Sequence, residues 1–153
     1  MDGDGRIDIV VQAPGSGGLW VIKQLADGSL AAPLTLLGFD TGSSIVVADF
    51  NGDGRPDIAA TWDRGGGPRV FLQAANGTFE AGRSYAGSDA LLGSGMAVMD
   101  VNADGRPDIV LEGPYVLLNL SGSVTNSQAT PAELSALRAK KAVRASAARR
   151  GNR

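Results

Sequence analysis

The sequence predicts an all-β protein made of about three copies of a short-stranded antiparallel unit. A nine-residue acidic motif, Asp49–Asp57, returns as Asp100–Asp108, and an incomplete copy opens the chain. Asp4, Asp53 and Asp104 are equivalent positions of this motif, so the copies are 49 and 51 residues apart, a spacing typical of repeated supersecondary units. Glycine accounts for 22 of the 153 residues, about twice its usual share of ~7%, which favours turns and short strands over long helices.

The first repeat, residues 1–43, begins inside its motif. Ile9–Val11 is a predicted strand, and Leu19–Lys23 is the next one. Asp27-Gly28 is a hairpin signal, after which Leu34–Phe39 forms an outer strand.

The second repeat, residues 44–94, is the complete one. Its predicted strands are Ser44–Ala48, Ile58–Trp62, Arg69–Gln73 and Thr78–Tyr85. Asn76-Gly77 gives the hairpin turn between the last two strands. Gly28 and Gly77 both lie 20 residues after the last aspartate of their motifs. This agreement supports a four-stranded antiparallel unit.

The third repeat covers residues 95–125, with predicted strands at Met96–Met99, Ile109–Leu111 and Tyr115–Leu120. Beyond Gly122 the pattern fades, and a fourth strand is not firmly predicted. Residues 126–130 are interpreted as a linker.

The C-terminal residues 131–153 have a different composition, with one acid and 7 bases among mostly Ala and Leu. Thr130-Pro131-Ala132-Glu133 is a capping-box sequence, which predicts a helix over residues 131–149. We expect a solvated, basic helical tail. Binding of anionic lipid, polysaccharide or nucleic acid by its bases is the less favoured alternative.

The repeated motif has the chemistry of a calcium loop. Side-chain oxygens stand at alternate positions, Asp49, Asn51 and Asp53, and Gly54 follows where a tight loop must turn sharply. The Arg55 carbonyl and the Asp57 carboxylate complete an oxygen shell that suits Ca²⁺ better than Mg²⁺. In the third repeat the corresponding ligands are Asp100, Asn102, Asp104, the Arg106 carbonyl and Asp108. In the first repeat they are Asp2, Asp4, the Arg6 carbonyl and Asp8, without a leading aspartate.

Three other interpretations of the motif are weaker. Asp, Asn and Gly make ordinary turns, but turns alone do not require acids at positions one, five and nine. An EF-hand needs a bidentate glutamate at position twelve, where this chain has Ala60 or Leu111. Zinc or copper sites are disfavoured because the chain has neither His nor Cys.

The same absence of His and Cys excludes Ser-His-Asp, Cys-His and zinc-hydrolase chemistry. Acids outside the motifs, such as Asp63, Asp89 and Glu112, have no catalytic motif around them, so we expect no enzyme activity. Trp20, Trp62 and Tyr115 are candidate stacking platforms for a glycan, although packing between repeats is the more common role of such aromatics.

The segment Ala48–Ala59, with Asn76–Phe79 downstream, resembles the FG-GAP/VCBS repeat family, and the resemblance covers residues 1 to about 125. It implies four-stranded blades of a β-propeller, with calcium in the loop between the first two strands, as in integrin α subunits and bacterial surface or secreted proteins. The expected function is therefore a structural scaffold for binding or adhesion, extracellular or at the cell surface, with an unknown protein or glycan ligand. The alternative is a lectin-like propeller or a non-catalytic module of a secreted enzyme.

Blade number is where the chain departs from this family pattern. A propeller ring needs about four to eight blades, and this sequence holds about three. We expect a piece of a longer chain; assembly between chains and an open array are the alternatives. Exposed blade edges would favour self-association. The sequence has no apolar run of membrane-span length and no signal peptide before the first motif.

Overall fold

The computed structural model describes residues 1, 4–13, 18–37, 44–61, 67–85, 95–111 and 116–119. This part of the chain is all-β, as predicted, with ten strands and no helix. Among these residues, therefore, no helix has the length and apolarity needed to cross a membrane. The predicted linker 126–130 and the predicted helix over 131–149 lie outside the described residues.

The strands form three small sheets, and every hydrogen-bonded neighbour is antiparallel. Sheet 1 contains β1 (Ile9–Ala13), β2 (Gly18–Ile22) and β3 (Leu34–Leu37) in that order. Sheet 2 contains β4 (Ile45–Ala48), β5 (Asp57–Ala60), β6 (Arg69–Phe71) and β7 (Arg83–Ser84). Sheet 3 contains β8 (Met96–Met99), β9 (Asp108–Leu111) and β10 (Val116–Leu117).

The three sheets share one pairing register, which defines equivalent residues. In each sheet, the first residue after the last aspartate of the motif pairs with a residue of the next strand. These equivalent pairs are Ile9 with Ile22, Ile58 with Phe71, and Ile109 with Leu117. The strands on either side of the acidic loop also match, since Ala48 pairs with Asp57 and Met99 pairs with Asp108. Strands β1 to β3 therefore correspond to β5 to β7, and β8 to β10 correspond to β4 to β6.

Both predicted hairpin turns are confirmed. Gly28 and Gly77 have φ angles of 84° and 77°, in the left-handed region that glycine adopts without a steric penalty. Each donates its backbone N–H to the carbonyl three residues earlier at 2.9 Å. The side chains of Asp27 and Asn76 accept the N–H of the residue two positions later at 2.9 and 3.0 Å. These bonds explain the recurrence of an Asx-Gly pair at this position.

Most strand boundaries differ from the prediction by one or two residues, and two of the differences have a visible cause. The strand predicted over Thr78–Tyr85 reduces to β7 and one isolated bridge between Gln73 and Phe79. Between them the backbone of Gly82 lies against the ring of Phe71, where a Cβ would come within 2.5 Å. Strand β5 begins one residue earlier than predicted, because Asp57 belongs to the ladder.

Sheet 2 is packed between the other two sheets. One cluster joins it to sheet 1 and contains Leu19, Val21, Ile58, Ala60 and Phe71. The other joins it to sheet 3 and contains Phe50, Ala59, Val70, Ile109, Leu111 and Leu117. In β5, Ile58 and Ala60 belong to the first cluster and Ala59 to the second, and all four residues of the strand are buried. We call the side of a sheet that packs on the preceding sheet its front face, and the opposite side its back face.

Candidate metal centre

The loop between β4 and β5, which we call loop 2, folds around the carboxylate of Asp49. Its Oδ1 accepts the backbone N–H groups of Gly52 at 2.7 Å and Asp53 at 3.0 Å. Its Oδ2 accepts the N–H of Gly54 at 2.8 Å. Gly52 and Gly54 have φ angles of 77° and 82°, so the tight curl depends on conformations that glycine adopts freely. The loop backbone thus turns its N–H groups toward one aspartate.

Asn51 and Asp53 are linked to each other inside the same curl. Asn51 Oδ1 accepts the N–H of Asp53 at 3.0 Å, and its Nδ2 donates to Asp53 Oδ2 at 2.7 Å. The other oxygen of Asp53 accepts the N–H of Arg55 at 2.9 Å, and the Arg55 guanidinium forms an ion pair with Asp53. Each acceptor oxygen has two lone pairs, so oxygens that accept one hydrogen bond keep one for a cation.

Asp57, the predicted ninth-position ligand, is fully buried at the start of β5. Its Oδ1 accepts the N–H of Gln73 at 2.8 Å, and its Oδ2 accepts the N–H of Phe50 at 2.9 Å. The carboxylate therefore ties the start of the loop to the end of the third strand. Asp57 therefore has a structural role in addition to any contact with a cation.

The arginine at position seven has a role that the sequence did not reveal. Sequence reasoning used only its carbonyl, whereas the structure shows its side chain bridging the loop to the third strand. Arg6, Arg55 and Arg106 donate Nε to the carbonyls of Gln24, Gln73 and Asn119 at 2.9, 2.9 and 2.8 Å. Its recurrence in all three copies was the available signal.

The loop between β8 and β9, loop 3, repeats this arrangement closely. Asp100 accepts from Asp104 N and Gly105 N at 3.0 and 2.9 Å, Asn102 Nδ2 donates to Asp104 at 2.9 Å, and Arg106 pairs with Asp104 at 2.7 Å. The buried Asp108 accepts from Asn119 N and Val101 N, both at 2.8 Å. The main difference is Ala103, which takes the place of Gly52 and has a φ of 61°.

The loop at the start of the chain, loop 1, contains fewer of these contacts. Asp2 lies outside the described residues. Asp4 accepts the N–H of Arg6 at 2.9 Å and pairs with its guanidinium. Asp8 accepts the N–H of Gln24 at 3.0 Å and forms an ion pair with the amino group of Met1. Met1 thereby takes the place that Phe50, which donates its N–H to Asp57, has in loop 2.

Gln24, Gln73 and Asn119 form a set of equivalent residues that sequence reasoning missed. Each lies two residues after the second member of one of the equivalent pairs, that is, after Ile22, Phe71 or Leu117. Its backbone N–H donates to the last aspartate of its own motif. Asn119 also donates Nδ2 to the Phe50 carbonyl at 2.7 Å and to the Pro107 carbonyl at 3.3 Å. Asn119 therefore joins loop 3 to loop 2. A side-chain amide at the same strand position in every repeat was the signal available in the sequence.

Two aspartates of loop 2, Asp57 and Asp53, have pKa values displaced in opposite directions. Burial raises the pKa of Asp57, and repulsion from the carboxylates of Asp53 and Asp49 raises it further. The N–H groups of Gln73 and Phe50 lower it, but burial outweighs them, so the pKa lies above 3.8. Desolvation also raises the pKa of Asp53, but the N–H of Arg55, the Asn51 amide and the Arg55 charge outweigh it, so this pKa lies below 3.8. Loop 3 repeats the pattern, with a raised pKa for Asp108, from burial first, and a lowered one for Asp104.

The donor set fits a hard cation by its chemistry. It consists of carboxylate and amide oxygens, and the carboxylates of Asp49 and Asp53 are close enough to raise the pKa of Asp57 by repulsion. Among the described residues, no three acidic side chains approach each other closely enough to form a ready-made metal cluster. The loops therefore hold the ligand types close together, with part of their capacity used by backbone N–H groups and arginine.

The remaining candidate residues are mostly not placed. Trp20 lies on the front face of sheet 1, partly exposed, and donates Nε1 to the Thr35 hydroxyl at 3.1 Å. Trp62 and Tyr115, the other proposed stacking aromatics, lie outside the described residues. So do the three acids considered for catalysis, Asp63, Asp89 and Glu112.

Comparison with known proteins agrees with the repeat structure. The sequence model of the FG-GAP-like repeat matches residues 1–60 and again residues 49–111. Each match runs from one acidic loop to the strand that follows the next acidic loop, so the two overlap in loop 2 and β5. A search of curated proteins found no significant match. Since the two matches together cover well over half of the sequence, the chain belongs to the FG-GAP-like repeat family.

Proposed function

We propose that this chain is a calcium-stabilised repeat module of the β-propeller type, serving as a binding or adhesion scaffold of a secreted or surface protein. The observation that carries the proposal is the near-identity of loops 2 and 3. Both place two aspartates and an asparagine in one curl and bury a further aspartate beside it. Ordinary turns would not require that set of acids twice.

In loop 2 the ion would be held by Asp49, Asn51, Asp53, the Arg55 carbonyl and Asp57. In loop 3 it would be held by Asp100, Asn102, Asp104, the Arg106 carbonyl and Asp108. Calcium supplies positive charge that offsets the repulsion among these carboxylates. The loop backbone, already curled around Asp49 through three N–H bonds, needs little rearrangement to present the remaining lone pairs.

The packing of sheet 2 between two neighbours supports the β-propeller part of the proposal. Blades of a propeller pack face to face around an axis, and β5 is buried on both faces in that manner. The extracellular location follows by analogy with the family, where a high calcium concentration would keep even weak sites occupied.

The proposal is tested by thermal unfolding with a chelator, with calcium and with magnesium. At a free concentration about 100 times the dissociation constant, one site stabilises the fold by about 2.7 kcal/mol. We expect the melting temperature to fall by several degrees in chelator and to recover with calcium more than with magnesium.

Asp53→Asn should reduce this calcium-dependent shift. Asp27→Asn, in a hairpin turn, makes the same change in charge outside any loop and should leave the shift intact. A melting temperature that does not respond to calcium would overturn the proposal.

A further inference from the structure

The two outer faces of the three-sheet array are apolar at the positions that are buried in its interior. The front face of sheet 2 packs on sheet 1 through Ile58, Ala60 and Phe71, with Phe79 at the margin. The equivalent residues of sheet 1, by the shared register, are Ile9, Val11, Ile22 and Leu30. All four are aliphatic, yet no sheet packs on them within the described part of the chain.

The exposed fractions show the difference in packing. Ile58 is 0% exposed and Phe71 is 2% exposed, whereas Ile9 is 39% exposed and Leu30 is 52% exposed. Repeat arrays that end in water normally carry polar residues on their terminal faces. Sheet 1 lacks that substitution, so its front face has the composition of an interior surface.

The back face of sheet 3 shows the same property. The back face of sheet 2 packs on sheet 3 through Ala59 and Val70, with Phe50 from loop 2 and Ala48 at the margin. The equivalent residues of sheet 3 are Val110, Val116, Val101 and Met99. Met99 is 48% exposed, whereas the equivalent Ala48 packs against the cluster. Val116 is only 6% exposed, so the exposed part of this face lies toward Met99.

We propose that a second copy of this chain docks head to tail, with the back face of sheet 3 of one copy on the front face of sheet 1 of the other. The argument is continuity, because this contact repeats the packing that already joins sheet 1 to sheet 2 and sheet 2 to sheet 3. By this equivalence the back face of sheet 3 is the complement of the front face of sheet 1, and neither face is the complement of itself. A heterologous contact of this kind forms either a closed ring or an open chain.

Two copies bring together the six sheets that their described residues form, within the range of about four to eight at which propeller rings close. Closed pairs are therefore the expected assembly. This docking depends on the faces of the sheets and not on the calcium of the proposed function. It also differs from edge-to-edge association, because it leaves the outermost strands of each sheet unpaired.

Sedimentation velocity of the 153-residue chain over a range of concentrations tests the proposal. We expect twice the monomer mass, in calcium and in chelator alike. Ile9→Lys blocks the front face, Met99→Lys blocks the back face, and each variant alone should sediment as a monomer. An equimolar mixture of the two variants should regain the mass of two chains, because one intact face of each kind remains.

Leu25→Lys is the matched control, since Leu25 is 44% exposed but lies in a hairpin turn, outside both faces. This variant should keep the wild-type mass. If Ile9→Lys fails to fold by circular dichroism, Leu30→Lys blocks the same face. Three results would overturn the proposal: a wild-type monomer at every concentration, a face variant that still pairs with itself, or a mixture that stays monomeric.

Discussion

Asn119 and Gln73 occupy equivalent positions, but the structure predicts opposite effects when their side chains are made apolar. Asn119 is completely buried, and its Nδ2 satisfies the buried carbonyl of Phe50 at 2.7 Å. Gln73 is 2% exposed, and neither atom of its side-chain amide has a hydrogen-bond partner in the part of the chain that the structure describes. The side-chain amide of Asn119 therefore links two repeats through a hydrogen bond, whereas the side-chain amide of Gln73 is buried without one.

The magnitudes follow from this difference. Asn119→Leu removes the Nδ2 hydrogen bonds to the carbonyls of Phe50 and Pro107, together with an Oδ1 that has no partner among the described residues. Because the Phe50 carbonyl then loses this donor in a buried place, the free energy of unfolding should fall by about 2 kcal/mol. Gln73→Met removes two unpartnered polar atoms at similar volume, so the free energy of unfolding should stay unchanged or rise by up to about 1 kcal/mol. The backbone N–H bonds of both residues to the aspartates remain in the variants.

Urea unfolding at fixed calcium concentration measures both effects. With a slope of roughly 2 kcal/mol per molar urea, Asn119→Leu should lower the midpoint by about 1 M. Gln73→Met should leave it in place or raise it slightly. The reasoning is refuted if the two variants lower the midpoint equally, because that result would mean that the Gln73 amide has a bond as strong as that of Asn119.

Three further predictions concern the loops and the core. Ala103→Gly should raise the free energy of unfolding and Gly52→Ala should lower it, each by roughly 1 kcal/mol, because both positions have a left-handed φ. Nothing lies within 4 Å of a Cβ at Gly52, so the backbone conformation alone sets the cost there. Urea midpoints measure both changes, and midpoint shifts of the same sign would contradict the reasoning. Phe50→Ala should cost about 3–5 kcal/mol, since a ring that is 1% exposed is lost from the cluster between sheets 2 and 3; a thermal midpoint close to that of wild type would exclude this packing. In chelator, NMR titration of the carboxyl carbons should place the pKa of Asp57 above 3.8 and that of Asp53 below it. The contribution of Asp57 to stability is therefore fully present below pH 3.8 and is lost as the pH rises through its raised folded pKa. The contribution of Asp53 is present above pH 3.8 and is lost as the pH falls through its lowered folded pKa.

The fold was predictable from the sequence because it depends on local patterns. The spacing of the acidic motifs located the loops, and the runs of aliphatic residues beside them located the strands. The turns at Gly28 and Gly77 need a positive φ, so the Asx-Gly pairs identified them. The fourth strand of the second repeat was predicted too long, because strand propensity does not reveal how close Gly82 comes to Phe71.

The inner contacts of the loops could be predicted only in part. Alternation placed Asp49, Asn51 and Asp53 on one side of a curl, but it could not show that backbone N–H groups and Arg55 share those oxygens. The bond from Asn119 to the Phe50 carbonyl spans 69 residues and depends on how sheet 3 packs on sheet 2. Contacts of this kind are set by the register between repeats, which a single motif does not contain.

The most direct test of the central claim, that the repeated loops bind calcium, is the number of ions bound per chain. Isothermal titration of the chelator-treated protein should give at least two calcium ions per chain, one for loop 2 and one for loop 3. Asp49→Asn and Asp100→Asn should each remove one ion. Absence of calcium binding, or a stoichiometry that neither substitution changes, would contradict the account.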